Sequence, residues 1–143
     1  MSEIASVLLV NRAVVQDRGS VLLLKRAYDD PHNPGLWEFP GGKADAGEDI
    51  HEGLTREVHE ETGLVIQPYS SIVHIESEVI SAGKYQGKLY VALFHAARRL
   101  SGDLQLSNEH VAAGWVRPRH GIPANLTPES MGAIISLRRA GVI

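Results

Sequence analysis

Six of the chain's 17 acidic residues fall between positions 48 and 61: Glu48, Asp49, Glu52, Glu57, Glu60 and Glu61. Arg56 is the only Lys or Arg among them. On a helix turning about 100° per residue, Glu57, Glu60 and Glu61 share one arc. That arc borders an apolar stripe of Ile50, Leu54 and Val58. Like charges three and four apart repel one another and weaken a helix. A hard divalent cation, Mg²⁺ or Mn²⁺, held through oxygen ligands offsets that repulsion. Without a cation, the same residues would form a solvated acidic face. Arg56 stands four residues from both Glu52 and Glu60 and can pair with either. Glu48 lies near the helix start, where the dipole favours a carboxylate. Glu57, Glu60 and Glu61 are then the ligand candidates. The Gly41-Gly42 pair lets the backbone turn tightly and approach another group, with a carbonyl available to join the ion's shell.

These residues need elements to hold them. Residues 4–16 and 21–26 read as strands joined by Asp17-Arg18-Gly19-Ser20. Residues 28–35 form a loop, 36–39 a short extended piece, and Pro40-Gly41-Gly42 a sharp turn. The acidic helix spans 50–62, stopped by Gly63. Residues 65–80, 88–97 and 111–116 read as further strands. Thr127-Pro128-Glu129 reads as cap, first helical position and acidic first turn of a second helix. Strands mixed with two helices, without regular alternation, point to an α+β or mixed-sheet sandwich.

The 143 residues suit a single domain, 1–143. Apolar residues make up 43% and charged residues 22%, which excludes wholesale disorder. The absence of cysteine excludes disulfides, thiolate metal sites and a cysteine nucleophile. The net charge of −3 argues against binding a nucleic-acid polymer. Val7-Leu8-Leu9-Val10 is too short to span a bilayer, and no signal peptide is recognisable. A cytoplasmic protein with no membrane association is expected. The seven histidines show no four-residue helical zinc spacing and read as ordinary surface residues.

Residues 42–64 resemble the signature of the Nudix hydrolases. Gly42, Glu48, Arg56-Glu57-Val58, Glu60-Glu61 and Gly63-Leu64 stand at every fixed position of that motif. The resemblance implies an α/β/α sandwich around a central mixed β-sheet. It implies Mg²⁺- or Mn²⁺-dependent hydrolysis of a diphosphate linked to another group. Position by position, Glu57, Glu60 and Glu61 would hold metal, joined by the Gly41 carbonyl. Arg56 and Glu48 would orient the site, with Gly42 and Gly63 as structural positions. The general base would be a glutamate of the box, such as Glu57 or Glu60, or the later Glu109. Glu109 precedes Trp115 much as a comparable glutamate, a further metal ligand, does in the family.

The segment 35–43 is similar to the MutT-like nucleoside triphosphate pyrophosphohydrolases. That likeness implies a nucleotide substrate, with Phe39 packing on the base, Glu38 bonding base or ribose, and Arg26 on the substrate side. Asn125, in Pro123-Ala124-Asn125, stands where some such enzymes read a purine edge. The expected reaction converts a nucleoside triphosphate, oxidised or not, to monophosphate and pyrophosphate. Alternatives are a nucleotide sugar of ADP-ribose type, a dinucleoside polyphosphate, or a catalytically silent nucleotide-binding domain. A monomer or homodimer is expected.

Overall fold

The computed structural model describes residues 6–143. Nine elements follow in order: β1 (Val7–Asp17), β2 (Ser20–Arg26), β3 (Trp37–Glu38), β4 (Gly41–Lys43), α1 (Ile50–Thr62), β5 (Val65–Val79), β6 (Leu89–Ser101), β7 (His110–Val116) and α2 (Pro128–Arg139). The expected start of the first strand at Ile4 lies outside the described residues.

The strands form one mixed sheet in the order β3-β2-β1-β6-β5, with β4 also pairing β1 and β7 also pairing β2. β1 runs parallel to β6 over ten residue pairs and antiparallel to β2 for only two, Gln16↔Val21 and Asp17↔Ser20. Beyond those pairs β1 and β2 part. The short strands β3 and β4 enter the gap, β3 on β2 and β4 on β1.

Period-two alternation splits the core into two layers. From β1 and β2, Val10, Val14, Val21 and Leu23 pack with Ala133, Ile134 and Leu137 of α2. Their neighbours Ala13, Val15, Leu22 and Leu24 pack with Leu54 and Val58 of α1. The helices therefore cover opposite faces, which makes an α/β/α sandwich. Both faces of the central strands are apolar because both are covered.

Local signals explain the helix ends. The Asp49 carboxylate accepts hydrogen bonds from the His51 and Glu52 N–H groups at 3.0 and 3.1 Å. Gly63 closes α1 in the left-handed conformation, with φ 76°. Thr127 caps α2 by accepting from the Ser130 N–H, and Arg138 and Arg139 occupy its last turn. Ile50 is 37% exposed, so the buried stripe of α1 begins only at Leu54.

The Pro40-Gly41-Gly42 segment corrects the sequence reading. Gly41 and Gly42 begin β4, in register with Arg12 and Asn11 of β1. A Cβ on Gly41 would lie 2.0 Å from the Asn11 carbonyl oxygen, and the residue has φ 143°. Both the close approach and the backbone angle demand glycine there. We predict that Gly41→Ala costs about 3 kcal/mol or more in urea unfolding, because backbone must move to admit the methyl.

Candidate active site

Glu61 is the innermost of the box glutamates. It is 5% exposed, and its Oε1 accepts the Gly41 N–H at 2.8 Å. Burial pushes its pKa up to about 8, with Glu38 and Glu57 adding to the rise. The Gly41 N–H and the Arg12 guanidinium work in the opposite direction. Glu57 lies one turn earlier, over the same glycine strand. A Cβ on Gly42 would come within 3.0 Å of Glu57 Oε2, so a side chain there would crowd the carboxylate. Partial burial also raises the Glu57 pKa, against the pull of Arg56.

Arg56 gathers the outer acids. Its Nε and one terminal nitrogen donate to the two oxygens of Glu48, both at 2.9 Å. The other terminal nitrogen donates to both oxygens of Glu60 at 3.1 Å. Asp45 at 3.0 Å and Glu57 at 3.4 Å complete its partners. Glu52 is not among them, so of the two partners the spacing allows, Glu60 is the one used. Glu48 is spent on this clamp, which holds its pKa below the ordinary value, while Asp49 caps the helix.

Glu109 joins the site from a distant stretch of chain. The Gln105 and Ser107 N–H groups donate to the Thr62 and Glu61 carbonyls at 2.8 and 3.1 Å. The Glu109 carbonyl accepts the Ala27 N–H at 3.0 Å. These bonds fasten the loop before β7 to the end of α1 and to β2. Ligand atoms of Glu61, Glu109 and His110 lie within 4.8 Å of one another. Glu60 instead faces Arg56 and is 58% exposed.

Two expectations from the strand before the box meet a different arrangement. Phe39 is fully buried, edge-on to Phe94 with ring centroids 5.8 Å apart, so no ring face is open to a base. Glu38, 2% exposed, spends its carboxylate on Arg26 at 2.9 Å, His110 at 2.9 Å and Arg12 at 3.5 Å. Burial opposes its ionisation, but His110 and the two arginines hold its pKa below the ordinary value. Arg26 donates through its terminal nitrogens to Glu38 and Asp30. Asn125 is exposed, and its carbonyl accepts the Trp37 N–H at 2.7 Å.

Sequence reasoning missed Arg12 and His110. Arg12 sits in a largely apolar strand yet reaches Glu129 at 3.1 Å and Glu38. His110 is 5% exposed and His95 1%, so neither is the surface residue expected. The available signal was a polar residue inside an apolar strand and a histidine directly after Glu109.

A buried carboxylate and a half-buried one, both reaching from α1 onto the glycine strand, are a donor set of hard oxygens that suits a divalent cation. The comparisons agree with that chemistry. The NUDIX domain family matches residues 6–134. The chain belongs to the Nudix hydrolase family. It is a pyrophosphohydrolase of that family, MutT-like in fold. The CTP pyrophosphohydrolase of Escherichia coli K12 is 30% identical over 131 residues, 90% of this chain and 91% of that protein. The nucleoside triphosphatase NudI of E. coli O81 is 29% identical over 110 residues, 73% of this chain and 78% of the relative. The MutT Nudix hydrolase of Burkholderia pseudomallei superposes with a TM-score of 0.78 at 25% identity, over 92% of this chain and 98% of its own. No helix among the described residues is long and apolar enough to cross a membrane.

Two predictions follow from burial. Phe39→Ala should lower stability by about 3–5 kcal/mol in urea, as a core truncation does, and Asn125→Ala by less than about 0.5 kcal/mol. The second concerns Glu61, whose pKa near 8 in the fold exceeds its unfolded value. Between the two values the folded state keeps a proton that the unfolded state has released. Cation-free protein should therefore lose stability as pH rises from about 5 to 8. Urea midpoints in EDTA across that range should show the decline, and Glu61→Gln should flatten it.

Proposed function

We propose that this Nudix hydrolase cleaves a nucleoside triphosphate to the monophosphate and pyrophosphate, using Mg²⁺ or Mn²⁺. Glu57, Glu60, Glu61, Glu109 and the Gly41 carbonyl would hold the ion. The observation that carries this reading is the pair of carboxylates on the glycine strand, Glu57 over Gly42 and Glu61 on the Gly41 N–H. The two relatives named for nucleoside triphosphates support the substrate class.

When bound, the cation neutralises phosphoryl oxygens and acidifies the attacking water. The chain's own groups do the rest. Glu57, packed over Gly42, is one candidate base for the water's proton. Glu109, exposed on a fastened loop, is the second candidate for that role. Arg56 is a positioning residue, since it fixes Glu60 and Glu57 while Glu48 fixes it. Glu60 would leave Arg56 on meeting a cation, a small rearrangement for an exposed side chain. Asn125 keeps an exposed side chain for the base, as an amide can pair with a purine edge. A substrate-side role of Glu38 would pass through Arg26, which donates to its carboxylate.

Glu57→Gln and Glu60→Gln should each lower kcat/KM by about 10²–10⁴-fold at unchanged circular dichroism. The measurement is phosphate release with added pyrophosphatase across a panel of nucleoside triphosphates, ADP-ribose and a dinucleoside polyphosphate. Turnover best on ADP-ribose or the dinucleotide by an order of magnitude would overturn the substrate class. Unchanged turnover in both variants would overturn the assigned machinery.

A further inference from the structure

We propose that His110, together with Glu61 and Glu109, forms a mixed imidazole–carboxylate site that prefers a first-row transition ion over Mg²⁺. The proposal builds on the cation dependence inferred above and assigns a nitrogen ligand to a site so far described by oxygens alone.

The argument starts at Glu38. Arg12 and Arg26 flank its carboxylate, so it is an ionised acceptor. The hydrogen of the 2.9 Å contact between His110 Nε2 and Glu38 Oε2 therefore resides on His110. That bond fixes the ring and turns Nδ1 toward Glu61. The His110 Nδ1 atom is buried and has no hydrogen-bond partner. It stands 3.7 Å from Glu61 Oε2, too far for a hydrogen bond. A buried ring nitrogen without a partner and a buried carboxylate oxygen therefore face one gap.

The spacing suits one ion. Two ligands at about 2.1 Å from a common ion can stand up to about 4.2 Å apart. The 3.7 Å separation lies inside that limit. Glu109 brings a third ligand atom to within 4.8 Å and, being exposed, can rotate to close the remainder. The Glu38–His110 bond supplies the orienting carboxylate usually found behind a metal-binding imidazole. Imidazole nitrogen favours transition ions, whereas Mg²⁺ keeps to oxygen and water.

The test uses the full chain with one equivalent of Mn²⁺ and pulsed electron paramagnetic resonance. We expect nitrogen modulation from a directly bound ¹⁴N that changes on ¹⁵N-histidine labelling and is lost in His110→Gln. Titration should show the Mn²⁺ Kd of His110→Gln weakened by about 10-fold or more, and the Mg²⁺ Kd by less than about 3-fold. A wild-type spectrum without nitrogen coupling overturns the proposal, and this arm needs no variant to fold. Coupling retained in a folded His110→Gln also overturns it. Triphosphate turnover with oxygen-only Mn²⁺ removes His110 from the site and leaves the hydrolase reading standing. Nitrogen-bound Mn²⁺ in a chain inert toward every nucleotide does the reverse.

Discussion

One buried carboxylate organises this molecule. Glu61 reaches into the joint between α1 and β4, where water cannot solvate it. A carboxylate so placed is costly unless a donor meets it. The Gly41 amide does so, and it can only because Gly41 lies close against the carbonyl of Asn11. The parting of β1 and β2 opens the slot that β4 fills. The position of the acidic helix relative to the sheet follows from that pairing.

A chain of charges extends the joint. Glu38 binds Arg12, Arg26 and His110, and His110 faces Glu61. These groups are mostly buried, so removing one partner leaves another uncompensated, which is far more costly than breaking a surface pair. The outer clamp is different. Arg56 and its carboxylates are partly exposed and screened by solvent. The inner groups are enclosed, whereas Glu60 stands at the surface, 58% exposed.

Local elements were legible because their signals are local. The bounds of α1 follow from Asp49, the apolar pair Leu54 and Val58, and Gly63. Thr127 and Pro128 announce α2 in the same way. Pro40-Gly41-Gly42 was misread because proline and glycine describe a turn when considered alone. Their strand exists only through hydrogen bonds to β1, some thirty residues earlier in the chain.

The amino-acid order alone determined the box, its spacing and the sharing of one helix face by Glu57, Glu60 and Glu61. Those are consequences of helical period and of residue identity. Only the folded chain decided which carboxylate is buried, that Arg56 turns to Glu60, and that Glu109 and His110 close on Glu61. It also decided that Phe39 and Glu38 face inward. Alternation along a strand separates neighbours onto two faces, but here helices and buried charges cover both. No solvent side remains to mark the substrate's, and long-range packing makes the choice.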